Sequence, residues 1–297
     1  MPALPFLRRL ALLTLCAFSA LPAHAEKPRL IWTIRDMPPF LILEGPLKNR
    51  GIADRMLQLL IADMPQYEHV LSVANRARAT QMLTSGVLTC DPGMLWSQER
   101  EQIMYFSIPT MGILTNGVAV RKADEAQLAP FVQQGEFDLG AYLADGGYTI
   151  GTLVDRSYGK VIDAELKNAK PNTIIVHHGT DATLSLLRMQ QHRRLDAVLG
   201  YWPEMRYQSE NASVPLDALN FYPVKGVPAY QLGYVSCSKT PEGLEAVKAI
   251  NASVRRLREG EVIDLYAQWL DGSTRTAYLK AAKTFFTEPK NDIARSK

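Results

Sequence analysis

The sequence predicts an α/β protein of two lobes, each a mainly parallel sheet flanked by helices, on three observations. Short apolar, β-branched stretches alternate with helix-spaced apolar residues both before and after residue 120. Two extended runs, residues 118–122 and 233–239, bracket the second set, and both end in basic residues. The helices after residue 240 have no strands of their own to cover, so they return to the first sheet. The expected organisation is a discontinuous first lobe, 27–118 plus 229–275, with a second lobe, 119–228, inserted into it. The two crossing strands then form a hinge near residues 117–120 and 229–234.

The chain opens with Arg8 and Arg9, an apolar run over residues 10–21 and the small-residue ending Ala23-His24-Ala25. That is the pattern of a secretory signal peptide, residues 1–25, cleaved before Glu26. The run falls short of the about 20 apolar residues that a membrane span needs. Cys16 follows Leu15 where a lipoprotein signal needs a small residue, so a soluble periplasmic product is expected. Cleavage removes two of 33 basic residues and none of 30 acidic ones, leaving a net charge of +1. No global field then selects nucleic acid or a membrane surface. The 272 remaining residues of 297 suffice for two domains and a substantial core. Cys90 and Cys237 remain, and in an oxidising compartment they form either one disulfide or two free thiols.

Residues 30–34 read as a strand, stopped by Pro38-Pro39. Gly51 then opens a helix with Ile52, Met56, Leu59 and Leu60 on one face. A strand at 70–73, a helix at 78–83 ended by Gly86 and a strand at 88–90 complete the first set. The second set has strands at 148–153, 173–176 and 195–199, with helices at 158–166 and 182–191 between them. Glycine-rich residues 124–145 read as an exposed insertion in the second lobe. Two amphipathic helices follow residue 240, one with Leu244, Val247, Ile250, Val254 and Leu257, the other with Ile263, Tyr266, Trp269 and Leu270. Residues 276–297 read as a C-terminal tail, polar and frayed beyond Thr284.

A series of short marks follows this order: Met37-Pro38-Pro39-Phe40, Gly51-Ile52-Ala53-Asp54, Leu83-Thr84-Ser85-Gly86 and Ser97-Gln98-Glu99-Arg100. Tyr105-Phe106-Ser107-Ile108-Pro109, Leu195-Asp196-Ala197-Val198-Leu199 and the stretch from Gly260 to Leu270 continue it. Each is weak alone. In this order, behind a signal peptide, they make the chain resemble the type 2 periplasmic binding proteins, specifically the polar amino-acid-binding family 3 of bacterial ABC importers.

The resemblance implies that Arg100 holds a ligand carboxylate, a task suited to a planar guanidinium with paired N–H groups. It also implies that Phe40 sets its ring against the ligand, unless that ring packs the lobe. Asp36 and Trp96, beside these marks, join the candidate ligand contacts. Ser157 and Tyr158 fall where the family offers backbone N–H groups to an anion at a helix start, although Ser157 also suits a plain N-cap. In this fold the third strand neighbours the returning one, so the resemblance implies a Cys90–Cys237 disulfide. The chain departs from the family at Gly200-Tyr201-Trp202-Pro203, where amino-acid binders carry a carboxylate for the ligand's amine and this chain has none before Glu204. Tyr201 and Trp202 there suggest a ring-stacking wall, or packing beneath the lobe.

The function expected is capture of a small polar or anionic solute between the lobes by a monomer, for an ABC permease or a membrane receptor, without catalysis, metal or cofactor. The rival classes are a dehydratase-like periplasmic enzyme on the same fold and a sensory ligand-binding subunit with no transport role. Against an enzyme, no Gly-x-Ser-x-Gly elbow, phosphate-cradling glycine loop or zinc signature appears, and His177 and His178 on a strand would point to opposite faces.

Overall fold

The computed structural model describes residues 26–287 except Thr180 and Glu259. The expected signal peptide and the tail beyond residue 287 lie outside the described residues.

The first set comprises β1 (Arg29–Ile34), α1 (Ile52–Asp63), β2 (Glu68–Val73), α2 (Arg76–Leu83), β3 (Thr89–Leu95), the single turn α3 (Gln98–Glu101), β4 (Met104–Phe106) and β5 (Met111–Leu114). The chain then crosses into β6 (Gly117–Arg121), α4 (Glu125–Leu128), a ribbon of β7 (Val132–Gln133) and β8 (Glu136–Phe137), and α5 (Leu139–Asp145). The second alternating set is β9 (Ile150–Leu153), α6 (Lys160–Lys167), β10 (Ile174–His177), α7 (Ala182–Gln191), β11 (Ala197–Gly200), α8 (Trp202–Ala212) and β12 (Leu219–Pro223). The return runs through β13 (Tyr230–Ser238), α9 (Pro241–Leu257), α10 (Glu261–Ala267) and α11 (Gly272–Ala282).

Two principal sheets result. The first has the order β2-β1-β3-β13-β4, with β5 also on β13, and the second β10-β9-β11-β6-β12. The βαβ strands pair in parallel, while the crossing strands β6 and β13 pair antiparallel, because each enters its sheet from the opposite lobe. Both sheets are therefore mixed. Cys90 lies directly opposite Cys237 in the β3–β13 register, and the two are bridged with Cα atoms 4.0 Å apart.

Packing follows from side-chain period. On α1 the buried face is Ile52, Met56, Leu57 and Leu60, with Leu59 only half covered. It meets Trp32 of β1, Val247 and Ile250 of α9, and Tyr266 of α10 in one core. Thr240 caps α9 by accepting from the Gly243 N–H, and Pro241 occupies the first turn. Gly243 must be glycine for α9 to lie this close to the sheet, since a Cβ would stand 1.9 Å from the Ser238 carbonyl oxygen. In the second sheet Val118 and Val120 point to one face and Ala119 to the other, and Leu199 and Val198 divide likewise. Each face thus carries its own apolar layer.

Three expectations need correction. Residues 124–145 are not an exposed insertion: Leu128, Phe131, Phe137, Leu139 and Tyr142 are buried against Val118 and Leu199, and the Phe131 ring packs edge-on against Tyr142. The glycines that suggested a loop serve the turns between these short elements, as at Gly135 and Gly146 with φ near +80°. The tail does not begin at 276, because α11 buries Tyr278 beside Tyr266 and donates the Tyr278 hydroxyl to the Gly112 carbonyl at 2.9 Å. Residues 117–120 and 230–234 are paired sheet strands rather than free hinge. The connections between sheets are shorter, Thr115-Asn116 and residues 224–229, and they are tied together where the Thr115 N–H donates to Ala229 O at 3.1 Å. The Thr115 hydroxyl donates to Pro228 O at 2.8 Å.

Candidate ligand cleft

Between the lobes lies an inner cavity of about 140 Å³, which shares Leu95, Arg100 and Ser157 with the lining of an outer groove of about 950 Å³. The first lobe contributes Arg35, Arg76, Asp91 and Arg100 to the inner cavity, and the second contributes Asp155, Arg156, Ser157 and Tyr201. Four guanidiniums thus converge on one small space.

Their partners differ. Asp91, buried at the kink of β3, accepts from Arg35 Nη1 at 2.9 Å, from Thr33 Oγ1 at 3.1 Å and from the Gly93 N–H at 3.0 Å. Across the cleft Arg156 donates both Nη1 and Nη2 to Glu204, at 3.2 and 2.7 Å, and Thr183 Oγ1 adds a third bond at 2.8 Å. Both side chains of that pair are about 5% exposed. Burial pulls the Arg156 pKa down, but the Glu204 charge and hydrogen bonds together with the Tyr158 and Tyr201 hydroxyls outweigh it, and the guanidinium sits above its ordinary value. Its carbon also lies 4.9 Å from the Tyr201 ring centroid.

Arg100 is positioned by Ser97, whose hydroxyl accepts the Arg100 N–H, and by its own Nη1, which donates to Leu95 O at 2.7 Å. Among the described residues it makes no ion pair. Burial lowers its pKa, with Asp163 and Asp91 opposing at longer range. Arg76, at the first position of α2, likewise has no carboxylate partner among the described residues, and its guanidinium reaches Met37 Sδ, Nη2 to sulfur at 4.0 Å. Burial, together with the charges of Arg156 and Arg35, pushes it down to about 10.

Of the residues singled out from sequence, Arg100, Ser157 and Tyr201 line the inner cavity, and Trp96 lines the outer groove. Ser157 donates to Asp163 Oδ2 at 2.5 Å, which fixes the start of α6 through a carboxylate also bonded to the Tyr158 N–H. Phe40 is a core residue 5.4 Å from the Tyr201 ring, and it touches only a small apolar recess behind the cavity.

Three candidates lie elsewhere. Asp36 braces the proline loop by accepting the Leu43 N–H at 2.9 Å. Tyr158 turns into the second lobe's core, where its hydroxyl accepts the Leu153 N–H at 2.7 Å. Trp202 stacks on Phe221 at 5.1 Å and reaches Asp271 at 3.5 Å, outside the cleft. The motif spacing identified these positions but not the direction of the side chains. Sequence reasoning missed Arg35, Arg76, Asp91 and Arg156 because their convergence depends on which strand ends meet.

No family model and no curated relative matches the sequence. Solved structures do match in fold. A histidine kinase sensor domain with similarity to periplasmic binding proteins superposes with TM-score 0.62 at 15% identity, over 82% of this chain and 96% of that one. An amino acid ABC transporter substrate-binding protein from Streptococcus pneumoniae bound to L-arginine gives 0.59 at 16%, over 85% and 96%. An ancestral amino-acid-binding protein, a precursor of cyclohexadienyl dehydratase, gives 0.59 at 14%, over 82% and 96%. The chain therefore has the two-lobed fold of the periplasmic binding proteins. Among its described residues no helix is long and apolar enough to cross a membrane.

Proposed function

We propose that this chain is a periplasmic solute-binding protein that closes its two lobes around a small anionic ligand lacking a free α-amine, for an ABC importer or a membrane sensor. The observation that carries this reading is Arg100, held by Ser97 and Leu95 at the cavity wall with no carboxylate partner among the described residues. A desolvated guanidinium with free donors is a carboxylate site.

The missing amine partner is supported by Glu204. It is the first acid after β11, and Arg156 and Thr183 already occupy both of its oxygens. A ligand ammonium there would have to displace a buried bidentate pair. Binding without reaction is the simpler chemistry here, because the buried carboxylates Asp91 and Glu204 are each locked to an arginine and the other lining carboxylate, Asp155, is exposed to water. Likeness to both an importer component and a sensor domain supports either destination for the closed form.

The test is a thermal-shift screen of organic, aromatic and amino acids followed by calorimetry. A ligand at a hundredfold its dissociation constant stabilises the folded state by about 2.7 kcal/mol. Arg100→Ala should cost about 2–5 kcal/mol of binding, well above the roughly 0–1 kcal/mol of an exposed arginine. Unchanged affinity in that variant refutes the anion site. Tight binding of glutamine, glutamate, lysine or arginine refutes the missing amine.

A further inference from the structure

We propose that Arg76 is a second anion anchor, and that the ligand is a small dicarboxylic acid whose two carboxylates are held separately by Arg100 and Arg76. This rests on the reading that the cleft binds an anionic solute, and it adds the number of charges and the residue that holds each.

The charges in the cavity support it. Arg35 is neutralised by Asp91 and Arg156 by Glu204, each within 2.9 Å, so those four residues contribute no net charge. Arg76 and Arg100 remain, from α2 and α3 on the first lobe. The other lining carboxylate, Asp155, sits exposed on a turn with φ of 53° and has no ion-pair partner among the described residues. Exposed to water, it compensates a desolvated guanidinium weakly. The cavity therefore brings two partly desolvated cations beside two paired guanidiniums, an arrangement that an anionic ligand stabilises.

Arg76 also lacks the marks of a structural residue. A structural arginine at the first turn of a helix is poorly placed, since cations there oppose the helix dipole. Here, among the described residues, the side chain's one hydrogen-bonding contact is the Met37 sulfur, and it lines the cavity. Arg100 meets both the inner cavity and the outer groove, whereas Arg76 meets only the inner one. A ligand with one carboxylate at each guanidinium would thus lie along the inner cavity, with its chain against Met94 and Leu95.

The experiment uses the mature chain and a fixed panel: malonate, succinate and glutarate, the length-matched propionate, butyrate and valerate, and inorganic phosphate. At least one dicarboxylate should raise the thermal midpoint and titrate in calorimetry, with its monocarboxylate counterpart at least about thirtyfold weaker. Arg76→Gln should weaken that dicarboxylate by a similar factor, and Arg78→Gln, on the exposed face of the same helix, should not. In the ligand-free protein Arg76→Gln should raise the thermal midpoint, because it removes a partly desolvated charge that has no carboxylate partner among the described residues, whereas loss of a structural arginine would lower it.

Equal binding of a mono- and a dicarboxylate, with Arg76→Gln indifferent, overturns this proposal and leaves the anion site at Arg100 standing. Binding of phosphate with no dicarboxylate overturns it too, by placing both guanidiniums on one group. If nothing on the panel binds, the proposal fails, and the wider screen decides separately whether the anion-site reading stands.

Discussion

The two walls of the cleft handle charge in opposite ways. The first-lobe wall leaves Arg76 and Arg100 without carboxylate partners among the described residues, while the second-lobe wall seats its one cavity arginine, Arg156, on Glu204 and Thr183. A wall with open cations can hold an anion before closure. A wall whose charge is already matched adds shape, a ring and a hydroxyl afterwards. The difference teaches an order of events: the ligand should dock first on the first lobe, and the second lobe should then cover it.

The largest expected effect tests the matched wall. Glu204→Gln leaves Arg156 buried without its countercharge and should cost about 3–5 kcal/mol of stability, measured by denaturant unfolding. Arg100→Gln, on the open wall, should cost far less stability while losing ligand, so equal destabilisation by both variants would erase the contrast.

Next is the staple that only the first lobe carries among the described residues. Replacing Cys90 and Cys237 with serine frees a 147-residue separation in the unfolded chain and should cost about 2–5 kcal/mol. Reductant should lower the midpoint of the parent protein but leave the double variant unchanged.

Thr183→Val sharpens the comparison further by removing one bond to the Glu204 carboxylate while keeping Arg156. A loss of about 1.5–3 kcal/mol in stability is expected, as for hydrogen bonds to charged groups. A smaller loss would mean that the arginine alone satisfies the carboxylate.

The smallest effect concerns the back of the molecule, where Trp202 and Arg206 of the second lobe reach Asp271 of the first, each at 3.5 Å. Burial raises the Asp271 carboxyl, but hydrogen bonds from Thr274 and Trp202 and the Arg206 charge hold it below the ordinary aspartate range. Its contribution, about 0–1 kcal/mol for so exposed a group, is present above the ordinary aspartate pKa and fades as the pH falls through the lowered value. Tryptophan fluorescence should show an acid-side transition that Asp271→Asn abolishes.

The alternation of periods 2 and 3.6 made the βαβ sets and the α9 face legible, because long amphipathic stretches state their partners in their spacing. The short strands β4 and β5 were not legible because no helix-spaced stretch lies between them, whereas β9, β10 and β11, equally short, were set off by the helices between them. The region from α4 to α5 was misread because its glycines signal turns whether or not aromatic residues pack beneath them. Within the cleft, Arg100 was legible through its motif. Arg156 with Glu204 was not, since the pair spans 48 residues and forms only when the end of β9 meets the start of α8. Asp36, Tyr158 and Trp202 show the converse limit: a position beside a cleft does not fix which way its side chain faces.

The hydrogen bonds from Thr115 to Ala229 and Pro228 turn two separate connections into one narrow ribbon. Such a ribbon flexes readily out of its own plane and resists shear within it, so opening and closing reduce to a single mechanical coordinate. One distance between labels on the two sheets should therefore report the whole motion. Thr115→Val, by letting the strands slip past each other, should broaden that distance without moving its mean.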